Sequence, residues 1–162
     1  MQSSNLLEKS FELTLFPRGN WEGLKSATER AGYGISYYAE LTGKRMPIVE
    51  AADTRRYVIV SAGIMGLKAS ARRADIYNLA RRAGLHECRS QAGWELLLLA
   101  DKVSELQIRD LLIGAVPIEV APNFSLTFEV RFNDESGHRM DVDAGGSVVS
   151  FRRERRWLFE VA

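Results

Sequence analysis

The sequence is poor in the residues that staple small folds or build metal centres. It contains one cysteine, Cys88, so no disulfide can close within the chain. Its two histidines, His86 and His138, would have to recruit carboxylates to complete a zinc site. Neither charge is in excess: 22 Lys and Arg stand against 21 Asp and Glu, so no overall field draws the molecule to nucleic acid or to an anionic membrane. Any such attraction has to come from a local patch. Long apolar runs are missing too, and the most uniform one, residues 96–99, is far too short to cross a bilayer. The start of the chain has no apolar segment behind positive charges, which together with the lone cysteine makes a cytoplasmic location the expectation. The motifs G-x-S-x-G, H-E-x-x-H and paired C-x-x-C are absent, as are the complete nucleotide loops G-x-x-x-x-G-K-[ST] and G-x-G-x-x-G.

What is present is the balance of an ordinary globular chain. Hydrophobic residues make up 46% and charged residues 27% of 162. A chain of that length buries roughly 70% of its unfolded surface around one core, so one domain over residues 1–162 is expected.

Periodicity then places the elements. At 100° per residue, Ile76, Leu79, Ala80 and Ala83 share one face of a helix over residues 71–83, with Asp75, Asn78, Arg81 and Arg82 opposite. Residues 11–16 alternate as a strand, and Asn20 caps a helix carrying Trp21, Leu24, Ala27 or Thr28, and Ala31 that stops at Gly32. In residues 33–52, Ile35, Tyr37, Ala39 and Leu41 favour a strand, although residues 36–43 also fit a short capped helix. Residues 47–49 read as a short edge, 57–62 as a central strand, 96–99 as a buried strand, and 101–114 as an amphipathic helix. Phe124, Leu126, Phe128, Val130 and Phe132 line one dry strand face; a turn at residues 133–137 then leads to Met140, Val142 and Ala144, predicting an antiparallel hairpin. Residues 148–151 and 157–161 predict a second hairpin, turned at residues 152–156. The fold class that follows is α+β, a mostly antiparallel sheet with two or three helices packed on it and C-terminal β-hairpins.

Four groups of residues are candidates for chemistry. Gly63, Gly66 and Lys68, between a strand and a helix, are a candidate phosphate loop, because backbone N–H groups at such a junction can face an anion. The run from Ile76 to Leu85 resembles the first helix and turn of a helix-turn-helix over ten residues, but Ser90 and Gly93 stand where the recognition helix would need apolar residues. Arginines cluster as Arg55 and Arg56, Arg72 and Arg73, Arg81 and Arg82, and Arg152, Arg153, Arg155 and Arg156 beside Trp157. Guanidinium forks suit phosphates, and an adjacent indole can stack a base. Cys88 with His86 or His138 is a candidate thiolate pair, and Asp141 with Asp143, facing Asp134 and Glu135, a candidate site for a hard cation.

The leading expectation is a non-catalytic binding protein that meets a nucleic acid or an acidic protein surface through its arginines, without a cofactor and without a membrane. The alternative is a small enzyme using Cys88 or the Asp141 and Asp143 pair. Phe- and Trp-rich strands at the C-terminal end also suggest pairing with a second copy.

Overall fold

Local signals start the helices. In the computed structural model, which describes residues 9–101, 106, 108–133, 135–146 and 149–162, the Asn20 side chain accepts from Gly23 N at 3.1 Å and opens α1 (Trp21–Arg30). Gly32, at φ +84°, takes the chain out of that helix through the left-handed region. Ser36 caps α2 (Tyr37–Gly43) in the same way, accepting from Ala39 N at 3.2 Å. The strand expected through Tyr37 and Ala39 is therefore a helix, and only β2 (Gly34–Ile35) precedes it. The Ser36 cap satisfies a backbone donor of the first helical turn, which a strand would have had to pair across a sheet edge.

The remaining elements are β1 (Phe11–Leu15), β3 (Asp53–Ser61), β4 (Ala71–Arg72), α3 (Arg73–Arg82), β5 (Leu85–His86), α4 (Gln91–Leu98), β6 (Asp110–Ile113), β7 (Ile118–Ala121), β8 (Phe124–Arg131), β9 (Arg139–Ala144), β10 (Ser150–Phe151) and β11 (Arg156–Val161). The main sheet runs β1-β3-β11-β6-β8-β9-β2, with β5 added to β11 and β7 to β8. Only the pairs β11 with β6 and β2 with β9 are parallel. The class is α+β, with four helices among the described residues rather than two or three.

Alternation along the central strands sends side chains to two cores. Tyr57, Leu111, Ile113, Phe128, Val130 and Leu158 point to one face, where α1, α2 and α4 lie with Trp21, Leu24, Ala39 and Trp94. Val58, Val60, Leu112, Trp157 and Phe159 point to the other, where α3 packs Ile76, Tyr77 and Ala80 against them. Each large apolar side chain removed from water in this way contributes about 1.5–3 kcal/mol.

Two expectations fail for one physical reason: burial on all sides hides periodicity. The run ending at Leu99 belongs to helix α4, whose residues Gln91 to Leu97 are all buried between β1, α1 and β8. Residues 110–113 are strand β6 and not the end of a helix; β11 and β8 occupy its two edges, and its two faces are covered by the two cores, Leu111 and Ile113 in one and Leu112 in the other. Val103 lies outside the described residues. Residues 47–49 form no strand. The β8–β9 hairpin has the expected register, Val130 opposite Met140 and Phe128 opposite Val142. The second hairpin does not form: β10 leaves the main sheet to pair with β4, while β11 passes between β3 and β6. Both edges of β11 are occupied, so it offers no edge to a second copy. Among the described residues no helix is long and apolar enough to cross a membrane.

Candidate anion-binding rim

Three segments meet on the α3 side of the sheet. β10 pairs antiparallel with β4, Ser150 opposite Arg72, and β4 runs directly into α3. The tight turn after β10 is closed by Arg155 N donating to Arg152 O at 3.2 Å, and Arg156 opens β11 opposite Ser61. The glycine loop after β3 is tied to this turn by Gly63 N, which donates to Arg153 O at 2.8 Å. Lys68, in that loop, and Arg72 and Arg152 are exposed and form no ion pair among the described residues; Arg156 is exposed and without an ion pair too, but in β11 it alternates with Trp157 and so falls with Leu158 on the opposite face of the sheet. Arg153 reaches only Glu154, at 4.0 Å. Its guanidinium lies 3.1 Å from where a Cβ on Gly63 would stand, so a side chain there would displace it. These cations outnumber the acids of the same segments, Asp75 and Glu154.

Below the rim lies a buried arginine. Arg73, 5% exposed, donates from Nη1 to Tyr77 Oη at 3.0 Å and from Nη2 to Thr127 Oγ1 at 2.9 Å and Ala144 O at 3.1 Å. Its guanidinium carbon sits 5.0 Å from the Phe151 ring centre, 5.2 Å from Trp157 and 5.7 Å from Tyr77. No carboxylate pairs with it among the described residues, so hydrogen bonds and ring quadrupoles take the place of a counter-ion. Tyr77 in turn donates to Ala115 O at 2.6 Å, and burial pushes its hydroxyl up to about 12.

The sheet face beside Arg73 carries alternating charges. Glu129 accepts from Arg155 Nη2 at 2.9 Å and lies 3.9 Å from Arg131; Asp141 pairs with Arg131 and Arg139; Asp143 lies 4.0 Å from Arg155. Burial holds the Glu129 carboxyl above the usual carboxylate range, against the opposite pull of Arg155 and Arg131. Arg155 is thus a structural counter-ion, unlike its neighbours in the turn. Between this face and residues 149–152 is a cavity of about 330 Å³ lined by Asp143, Val149, Ser150, Phe151, Arg152 and Arg155.

Several candidates from the sequence do not serve as anticipated. Trp157 is 0% exposed, packed between α3 and the sheet, so neither face of its indole can stack a base. Gly63, Gly66 and Lys68 form no phosphate cradle. The amides of Gly63, Ile64, Met65, Gly66 and Leu67 donate to Arg153 O, Ser61 Oγ, Ser61 O, Gly63 O and Ala62 O, leaving none of these backbone donors free for a ligand. Gly66, at φ +105°, serves the turn itself. Arg81 and Arg82 sit at the opposite end of α3 from Arg73, and Arg81 is spent on Glu87 and Asn78. The next strand, β5, pairs with Glu160 and Val161, four residues along β11 from Arg156 or roughly 13 Å. The two arginine groups therefore do not converge. Arg55 is engaged by Asp53 and Glu160, and Arg56 by Ser10.

Cys88 is buried, with its thiol directed at Leu158 O at 3.5 Å, and burial pushes it far above the ordinary thiol range. Its partners are dispersed: His86 lies 4.0 Å from Glu160, while His138 packs on Tyr33 and Phe132 and accepts at Nδ1 from Asn133 N. Asp141 is engaged by Arg131 and Arg139, Asp143 has only the 4.0 Å contact with Arg155, no group of three or more potential metal ligands forms among the described residues, and Asp134 lies outside them. Sequence reasoning missed Ser150 and Glu129. The signal available for Glu129 was its place on the polar face of β8, which reads as solvent-facing until β10 is known to cross above it.

The chain matches no protein-family model, and no curated protein or solved structure matches it significantly.

Proposed function

We propose that this protein is a non-catalytic binding module that holds an anionic partner, a nucleic acid or an acidic protein surface, against the rim formed by Lys68, Arg72, Arg152 and Arg153. One observation carries the reading: the β4–β10 pairing and the Gly63–Arg153 hydrogen bond join segments far apart in sequence whose cations, Arg153 with its loose contact to Glu154 aside, have no ion pair among the described residues, on a molecule whose total charge is +1. Local charge of this kind attracts a polyanion although the whole molecule does not. Arg155 is left out because it neutralises Glu129, and Arg81 and Arg82 form a separate group.

Fluorescence anisotropy with short single- and double-stranded DNA and RNA, and with a labelled acidic peptide, at about 50 and 200 mM salt tests the reading. Binding that weakens steeply with salt, and that falls in an Arg72→Ala, Arg152→Ala, Arg153→Ala variant, supports it. Each lost phosphate contact lowers the salt slope by about one. Absence of binding to every probe, or equal binding by the variant, removes it.

A further inference from the structure

The cavity beside the rim has a chemistry that the rim alone does not. Three of its groups have open hydrogen-bonding capacity among the described residues. Arg152 has no ion pair, Ser150 has no hydrogen bond from its hydroxyl, and the Asp143 carboxylate has only the loose 4.0 Å contact with Arg155. Arg155 is committed to Glu129 at 2.9 Å. The free cation in the cavity is thus Arg152, and a free acceptor faces the same space. Val149 and Phe151 make the rest of the lining apolar.

A ligand charged all round is excluded by Asp143, whose carboxylate would repel it. A purely apolar ligand would leave Arg152, Ser150 and Asp143 facing it without partners. The complementary molecule carries one anionic group for Arg152, hydroxyl donors for Asp143 and Ser150, and a small body for the apolar wall. At about 330 Å³ the cavity lies at the small end of ligand-sized pockets.

From this we infer that the cavity takes a ribose phosphate unit, with the phosphate on Arg152 and sugar hydroxyls on Asp143 and Ser150. The inference rests on the anionic-partner reading only in the polymer form of the ligand. The same unit occurs in a free mononucleotide and within an RNA chain, and the 2′-hydroxyl is the group that separates RNA from DNA.

The experiment has two arms. In the first, labelled single-stranded RNA and DNA of one sequence are titrated against the wild type, Asp143→Ala and Ser150→Ala. In the second, amide chemical shifts are followed by NMR with ribose 5-phosphate, 2′-deoxyribose 5-phosphate or inorganic phosphate. The inference expects RNA to bind about tenfold tighter than DNA, with that preference lost in Asp143→Ala while DNA affinity is kept, because a hydrogen bond to a charged group is worth about that factor. It also expects ribose 5-phosphate to shift residues 149–152 more than the deoxy sugar or phosphate does. Ser150→Ala, a smaller change, is expected to weaken the same preference if Asp143→Ala alters the fold.

Equal RNA and DNA binding, together with shifts no larger than those of inorganic phosphate, would overturn the cavity assignment while leaving the rim reading standing. Ribose 5-phosphate shifts that Asp143→Ala abolishes, without binding of either polymer, would uphold the cavity and sink the rim reading.

Discussion

Arg155→Ala is the substitution whose outcome the geometry fixes most tightly. It strips the 2.9 Å partner from Glu129, whose side chain is 6% exposed. Removing one member of a buried ion pair costs about 3–5 kcal/mol. Here Arg155 is itself 34% exposed and Arg131 remains 3.9 Å away, so screening and the second guanidinium reduce the expected loss to about 2 kcal/mol. For a chain of this length that is a fall in melting temperature of roughly 4–8 °C.

The pH dependence follows from the sign of the shift. Burial already raises the Glu129 pKa in the folded protein, so its contribution to stability is fully present below the unfolded-state pKa and is lost as pH rises through the folded value. Arg155 opposes that rise; deleting it moves the folded pKa further up. The penalty of the variant should therefore be small near pH 4, where Glu129 is protonated in both states, and full at pH 7. Thermal melts followed by circular dichroism at both values give the comparison, and Glu129→Gln combined with Arg155→Ala should abolish the difference. A penalty that is equal at the two values, or larger in acid, would refute the assignment of Arg155 as counter-ion to a buried carboxylate.

Other consequences are simpler. Arg18→Ala leaves Glu95, 2% exposed, with only the 3.4 Å contact to Phe16 N, and urea denaturation should show a loss of about 3 kcal/mol; a loss below about 1 kcal/mol would mean the carboxylate finds water. Gly114→Ala puts a Cβ 2.4 Å from the Phe159 ring and 2.7 Å from Leu158 O, and since the strand carbonyl cannot yield, the melting midpoint should drop by the equivalent of about 3 kcal/mol. An unchanged midpoint would contradict the packing of β11 against the turn after β6. Cys88 should react with a thiol reagent only on the timescale of unfolding; rapid labelling of the native protein would show that the thiol is not where its bond to Leu158 O places it.

The elements legible in the sequence are those with one wet face. α1, α3, β1 and β9 each bury a single side, so their apolar residues recur at the period of the element; β8 buries both, but its second face is polar, Thr127 and Glu129, and so alternates as well. Asn20 also announced its helix through capping chemistry, and Ser36 offered the same signal. Ser36 was outweighed by the alternation of Ile35, Tyr37, Ala39 and Leu41, of which Tyr37 proves to be 71% exposed and Ala39 0%. α4 and β6 were misread because both lie inside the molecule. A helix surrounded by β1, α1 and β8 and a strand inserted between two others both read as unbroken apolar runs, so length and neighbours decide between them.

The candidate site depends on one topological fact that pairwise patterning does not contain. A hairpin was the economical reading of residues 148–161, since a charged turn between two apolar runs joins neighbouring strands far more often than distant ones. In that arrangement Arg152, Arg153, Arg155 and Arg156 would form a solvated tip and Trp157 would flank it. Because β10 instead pairs with β4, Phe151 is drawn over Arg73, Trp157 goes beneath α3, and the turn is laid across the polar face of β8 and β9. The four arginines then take different roles according to what lies under each: Arg155 meets Glu129, Arg153 packs against Gly63, Arg152 faces the cavity, and Arg156 opens β11 on the other face of the sheet. A run that is uniform in sequence becomes chemically divided through strand pairing with a segment about eighty residues earlier, so substituting these arginines one at a time is more informative than removing the cluster as a whole.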